Sequence, residues 1–509
     1  MRASESRWEL GRSRPVQKEV DESEGKPEGE SKPEGKSDRP IVPLKGSNAP
    51  GGKGTTNQRV YEGTMGNPQR LPTMSPKLVR IAEKAKREPN TVFTSLAHLM
   101  DTEHLMEAWV RIRKDGATGV DWMTAGVYGE KLEENLQALH ERLRKGSYRA
   151  PLVRRAKIPK EDGSFRELGI PTLEDKIVQK AVAMILEAIY EKDFRECSYG
   201  FRPGHSAHEA LEVLRKAILF GKVNWVLDAD ISRFFDEMDH RKLMEIVRRR
   251  VNDGRIVRLI GKWLKAVVMT EAGIQPRERG TPQGGVISPI LANIFLHHVL
   301  DEWMEDVVYG RMSGECRYIR YADDFLILFQ KEADARRVLA VLPKRLGKFG
   351  LRLNEGKTKL IRFGRFAKEK ESRQNRKPET FDFLGFTHYC GMSGHGKFQV
   401  MRQTQRKRFQ KAVTRVVEWV KSNRYLPRKE QHRHLCRVLR GHYQYYGVTG
   451  NLRRIKGFFY RVTRAWCQWL RRRSQRHTLS WERFTEYLKR YPLPIPCLPK
   501  SYVHAVANP

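Results

Sequence analysis

Tyr318-Ile319-Arg320-Tyr321-Ala322-Asp323-Asp324-Phe325-Leu326-Ile327-Leu328-Phe329 sets two adjacent carboxylates between two apolar, β-prone runs. The pattern predicts a β-hairpin with Asp323 and Asp324 at its bend. Neighbouring side chains on a strand point to opposite faces, so consecutive aspartates serve one site only where a tight turn redirects one of them. That makes Asp323 the surer ligand of the two. Acids among apolar strands are costly without a partner, and the usual partner of clustered carboxylates is a divalent cation. A solvated hairpin tip is the plainer alternative for the doublet taken alone.

A second acidic strand lies upstream, Val226-Leu227-Asp228-Ala229-Asp230-Ile231, followed by Ser232-Arg233-Phe234-Phe235-Asp236. A carboxylate on each of two non-adjacent strands is the minimum that holds a pair of Mg²⁺ ions roughly 3.5–4 Å apart for in-line phosphoryl transfer. Between the two strands runs Gly280-Thr281-Pro282-Gln283-Gly284-Gly285, then Ser288-Pro289. Consecutive glycines let the main chain approach a ligand closely, and Gln283 offers an amide with donors and an acceptor.

In order and approximate spacing, these three motifs resemble those of reverse transcriptases. They are most similar to the group II intron-encoded reverse transcriptase/maturase family, bacterial type, over about residues 90 to 500. The resemblance implies an α+β right-hand polymerase fold of fingers, palm and thumb, with a helical, basic C-terminal maturase domain. It implies RNA-directed DNA polymerase activity with two Mg²⁺ ions held by Asp230, Asp323, Asp324 and the backbone carbonyl of Ile231. It assigns Gln283, Gly284 and Gly285 to the template and the new base pair, and sets Lys357 where the family carries a lysine proposed to protonate pyrophosphate. Implied partners are dNTPs, an RNA template with a DNA primer or target, and the parent group II intron RNA, whose splicing the protein would assist.

Lys157 to Pro171 predicts two short strands joined by a turn at Asp162-Gly163, with Lys160 and Arg166 close together near the tip. Paired cations there suit a triphosphate, although solvated surface charges are the commoner reading of such residues. The match to the fingers hairpin of reverse transcriptases favours nucleotide binding, with Arg154 a weaker third candidate. Ser198 to Ala207 predicts a loop similar to a family signature near the template strand, and Arg202 is its candidate for a phosphate or the nucleotide. Leu173 to Tyr190, Leu243 to Val268 and Glu332 to Phe349 read as helices, and Phe381 to Phe386 as an alternating strand resembling the primer grip.

With 97 Lys and Arg against 60 Asp and Glu, the 509 residues carry a net charge of +37, a field that attracts polyanions. No apolar run is long enough to span a bilayer, which predicts a protein of the bacterial cytosol or nucleoid without a membrane partner. The six cysteines form no Cys-x-x-Cys pair, which argues against a zinc site or a disulfide framework. Residues 1–72, rich in Gly, Pro, Ser, Lys and Glu, are expected to be disordered. A helical extension is expected over 73–155, fingers and palm over 156–400, and a thumb/maturase domain over 401–509.

This last segment has about 26 Lys and Arg against 4 Glu. Cationic helices with aromatics suit structured RNA, and Arg440, Arg471, Arg472 and Arg473 are its candidate phosphate ligands, while Trp466 and Trp469 read as core. No His-Asn-His endonuclease motif with paired cysteines follows. Two alternatives remain open: a non-catalytic RNA-binding splicing factor, whose hallmark would be a lost acid, and a host-adapted reverse transcriptase acting in defence or repair.

Overall fold

The computed structural model describes residues 74–159, 165–265, 268–270, 273–275, 280, 284–367, 378–473 and 479–498, all within the compact unit that begins at Thr64. The expected disordered tail and the Asp162-Gly163 turn lie outside the described residues.

Thirteen strands form among the described residues: β1 (Val153–Pro159), β2 (Phe165–Ile170), β3 (Trp225–Ala229), β4 (Ile231–Ser232), β5 (Val268–Thr270), β6 (Gly273–Gln275), β7 (Cys316–Tyr321), β8 (Asp324–Phe329), β9 (Arg352–Leu353), β10 (Lys359–Arg362), β11 (Phe381–Phe383), β12 (Phe386–Met392) and β13 (Phe398–Thr404). The central sheet has the order β10-β3-β8-β7, so the two acidic strands are hydrogen-bonded neighbours although about a hundred residues of chain, by their numbering, separate them. Both faces of this sheet are covered. Leu227, Ala229, Phe325, Ile327 and Phe329 join one core with the helix Leu173–Tyr190. Val226, Leu326 and Leu328 join a second core with the helix Ala207–Phe220 and the β11–β13 sheet. A sheet buried on both sides explains why its strands read as near-continuous apolar runs rather than as clean alternation.

Boundaries follow local chemistry. Thr172 caps the helix Leu173–Tyr190 by accepting the Asp175 amide. The single helix expected from Leu243 to Val268 is two, His240–Arg248 and Gly254–Leu264, because Asp253 accepts the Arg255 and Ile256 amides and starts a new helix. The strand expected over Phe381–Phe386 is a tight hairpin. Leu384 and Gly385, both with positive φ, turn the chain between β11 and β12 as a type I′ turn requires.

In the segment expected to form the thumb, the helices Arg406–Ser422, Arg428–Tyr446, Leu452–Arg471 and Trp481–Arg490 pack around one apolar core. Trp466 is fully buried there, and its indole N–H donates to Gln431 Oε1 at 2.9 Å. The Gln431 amide in turn donates to the carbonyls of Asn423, Arg424 and Leu426, fastening the preceding loop. Trp466→Phe leaves that buried amide oxygen without its donor, and is expected to lower stability by about 1–3 kcal/mol, read as a shift of the urea midpoint. The thumb is also tied to the rest of the hand: the Tyr445 hydroxyl donates to the Leu384 carbonyl at 2.9 Å, and His208 Nε2 bonds the Tyr445 carbonyl at 2.7 Å.

Candidate active site

Between β3 and β8 the antiparallel register runs from Trp225 opposite Phe329 to Ala229 opposite Phe325. Continued one step beyond its last bonded pair, that register sets Asp230, the residue after β3, across from Asp324, and residues opposite each other project from the same face of a sheet. Tyr321 pairs with Asp324 to close the hairpin, so the bend is Ala322-Asp323 and Asp324 is the first residue of β8. This moves the predicted bend back by one residue. Ala322 has φ +58, whereas Asp323 is not in the left-handed region, the pattern of a type II′ turn. A third carboxylate on the same face, Asp228, lies two residues before Asp230 on β3 and opposite Leu326.

The acids crowd one another. Burial, then the charges of Asp323 and Asp230, push the Asp324 carboxyl up to about 6, with Arg408 and Lys357 working the other way. Asp324 itself is open to solvent at the start of β8. Asp228 is pushed up to about 7 by burial, then by Asp324, Asp230 and Asp382. Alternation along β3 was the signal that could have named Asp228, since residues two apart share a face.

Asp230 is held from the β9–β10 side. Asn354 donates its backbone N–H to the Asp230 carbonyl at 2.8 Å and its side-chain amide to Asp230 Oδ2 at 2.9 Å. The turn that follows brings Lys357 Nζ to 3.4 Å from the same oxygen. Asn354 was not among the residues singled out from the sequence. If the acids serve the templated nucleotide addition that the resemblance implies, removing this hydrogen bond to a charged group in Asn354→Ala is expected to lower single-nucleotide extension about 10–100-fold. Ile231 begins β4 opposite Leu353, with its side chain in the core.

Gly280 and Gly284 each lie tight against neighbouring backbone. Gly280 has φ +83, and a side chain there would meet the Phe235 carbonyl at 2.6 Å and Asp236 beyond it. Gly284 has φ +107, and a side chain would lie 2.9 Å from the Gly169 carbonyl of β2. Gly285 closes the turn by accepting the Ser288 amide. Lys160 and Gln283 lie outside the described residues, as does the side chain of Arg166, whose backbone sits in β2 opposite Ile158.

Among the arginines expected at nucleic acid, Arg202 faces inward instead, and others make bonds within the protein. Arg202 is 9% exposed, pairs with Glu191 through two nitrogens, and donates to the carbonyls of Arg195 and Ser198. It fastens its own loop, with its fork occupied. Arg154 donates twice to the Thr118 carbonyl and lies against the Trp122 ring. In the C-terminal cluster Arg471 donates to the Leu479 carbonyl, Arg473 to those of Tyr425 and Leu426, and Arg472 stacks over Trp469. Arg471 and Arg473 thereby tie thumb segments together, while Arg471 and Arg472 stay exposed to solvent. Arg440 is exposed, in helical register with exposed Arg433 and Arg437, so the three form one cationic stripe. A hollow of about 510 Å³ beside the β12–β13 sheet is lined by Tyr389, Gln403, Arg453, Arg454 and Arg461 among others.

As placed, no group of three or more His, Cys, Asp or Glu side chains among the described residues is gathered tightly enough to hold a metal ion. The chemistry of the donor set nevertheless fits hard divalent cations: carboxylate oxygens on adjacent strands whose mutual repulsion raises Asp324.

Residues 158–388 match the family model described as reverse transcriptase (RNA-dependent DNA polymerase). Protein YkfC of Escherichia coli strain K12 is 35% identical over 318 residues, covering 55% of this chain and 83% of that protein. Group II intron-encoded protein LtrA of Lactococcus lactis subsp. cremoris is 35% identical over 230 residues, covering 45% of this chain and 38% of LtrA. Among solved structures, telomerase from Candida albicans aligns with a TM-score of 0.39 at 15% identity, across 72% of this chain and 68% of that one. The acidic palm and the matched segment define a reverse transcriptase fold of the right-hand type. The chain belongs to the group II intron-encoded reverse transcriptase/maturase family. It spans well under half the length of LtrA.

Proposed function

We propose that the protein is an RNA-directed DNA polymerase that adds dNTPs to a primer 3′-hydroxyl on an RNA template, and that it also binds its parent group II intron RNA to assist splicing and mobility by target-primed reverse transcription. The observation that carries this reading is the crowding of Asp230, one residue past the end of β3, with Asp323 and Asp324 at the β7–β8 turn, and Lys357 at 3.4 Å from Asp230. Asp230, Asp323, Asp324 and the Ile231 carbonyl would hold two Mg²⁺ ions, which when bound lower the pKa of the primer hydroxyl and neutralise charge on the triphosphate.

The chain's own residues do the rest. Asn354 fixes one oxygen of Asp230, so that carboxylate presents a constant direction to the primer end. Lys357, 69% exposed beside it, is free to swing toward a leaving pyrophosphate and supply a proton. Lys160, Arg166 and Gln283 grip the nucleotide and Gly284 and Gly285 the template, by family resemblance. The cationic stripe of Arg433, Arg437 and Arg440 suits the phosphates of a folded RNA. Action in the bacterial cytosol or nucleoid belongs to the same proposal.

The purified 509-residue protein should incorporate dTTP on poly(rA)/oligo(dT) with Mg²⁺, and incorporation should stop when the template is omitted. Failure to extend under any divalent cation would overturn the polymerase reading. Failure to retain the RNA encoded around its own gene over an unrelated RNA of equal length would overturn the maturase part.

A further inference from the structure

The hairpin carrying Asp323 and Asp324 does not rest on apolar packing alone. Directly beneath it Arg320, on β7, is fully buried and forms a fork–fork pair with Asp301, Nε to Oδ1 at 2.7 Å and Nη2 to Oδ2 at 2.5 Å. The remaining nitrogen, Nη1, donates both to Asn293 Oδ1 at 2.9 Å and to the carbonyl of Ala322 at 3.0 Å. Asn293, also fully buried, passes the chain of bonds on by donating to the Gly200 carbonyl at 2.7 Å. Gly200 in turn lies so close under the bend that any side chain there would collide with the backbone of Tyr321 and Ala322.

Asn293 and Asp301 sit eight positions apart, which in a regular α-helix separates two side chains by roughly 80° around the axis. The helix Ser288–Leu296 runs into a wider π turn over His297–Asp301. Such a turn advances less around the axis per residue, which brings the two side chains toward one face, where both meet Arg320. π turns of this kind recur where function demands them.

A buried ion pair is a poor source of net stability, since apolar residues of the same volume do as well or better. What it supplies is direction. The Arg320 guanidinium is planar and locked on one side by Asp301, so Nη1 has one place to point, and the Ala322 carbonyl is there. Ala322 needs that constraint, because φ +58 is disfavoured for a residue with a Cβ.

We propose that Asp301, Arg320 and Asn293 are positioning residues for polymerisation. Through the Ala322 carbonyl they hold the turn in its left-handed conformation, and thereby set the direction of the Asp323 and Asp324 carboxylates. None of the three reaches substrate. The inference rests on the polymerase reading above.

The test uses full-length protein with Arg320→Lys and, because that change disturbs a buried pair, separately Asn293→Ala. Each is made alone and together with Ala322→Gly, since glycine adopts positive φ without a Cβ penalty. The expected loss of kcat in each single variant is about 10–100-fold, with primer–template Kd, dNTP KM and the far-ultraviolet circular dichroism within about twofold of the parent. In the double variants kcat should return to within about threefold of Ala322→Gly alone. An unchanged kcat in Asn293→Ala would overturn the proposal. So would a loss that Ala322→Gly does not recover, or one accompanied in both single variants by a parallel loss of primer–template binding, the mark of a merely structural role. A parent protein that fails to extend primers would remove the polymerase reading itself, and this inference with it.

Discussion

Asp323→Ala is expected to cut template-directed dNTP incorporation by about 10³-fold or more, since metal-assisted charge stabilisation contributes several kcal/mol to such reactions. Asp323 sits in the bend between β7 and β8, outside the ladder that runs from Cys316 opposite Phe329 to Tyr321 opposite Asp324. Truncating it therefore leaves every strand pair in place, and the sheet core below is untouched. Asp230→Asn should do the same for a different reason. It keeps the shape and can still accept from Asn354, but it removes the charge on which Lys357 and any divalent cation act. Both variants should bind RNA within about twofold of the parent, because the cationic thumb helices lie elsewhere on the chain and phosphate contacts dominate affinity. Filter-binding and primer-extension assays on the same preparations separate the two properties. Equal incorporation by parent and Asp323→Ala would remove the assigned site.

RNA affinity is expected to fall by about 10³–10⁵-fold between 50 and 200 mM salt, the slope produced when roughly 6–10 phosphates are neutralised. The exposed stripe of Arg433, Arg437 and Arg440, together with exposed Arg453, Lys456 and Arg461 on the helix Leu452–Arg471, offers six cations toward that number. Charge reversal of the stripe should flatten the log–log slope by about 3, near one unit per cation. Charge reversal at Arg202 should leave the slope unchanged and instead disorder its loop, because that guanidinium is committed to Glu191. A flat titration of the parent protein would contradict the electrostatic account of the thumb.

The palm was legible because its signals are local. Apolar runs broken by acids gave the strands, and Leu173–Tyr190 was recovered to the residue because Pro171-Thr172 at one end and a long apolar face mark it so plainly. The Asn252-Asp253-Gly254 cap was equally visible and was overridden by the apolar period on either side of it. Arginine contacts are where residue type says least. Arg154, Arg202, Arg471 and Arg473 look like surface cations by residue type, and only tertiary placement brings a carboxylate or loop carbonyls within reach of their forks. Asn354 and Asp301 were missed for the same reason: each acts on a residue brought near by sheet order rather than by spacing along the chain. The match of the motif order to a known family located the acids, while the groups that steer them came only from coordinates.

Tyr445 is hooked to the Leu384 carbonyl in the β11–β12 turn and, through its own carbonyl, to His208. Its helix also carries Arg433, Arg437 and Arg440 on the outside. One rod therefore connects an outward cationic surface to the turn beside which, on the proposed function, a primer terminus would rest. A ligand that rocks the rod tugs that turn, so occupancy of the outer surface and the rate of DNA synthesis would be mechanically geared to each other rather than independent talents of one polypeptide.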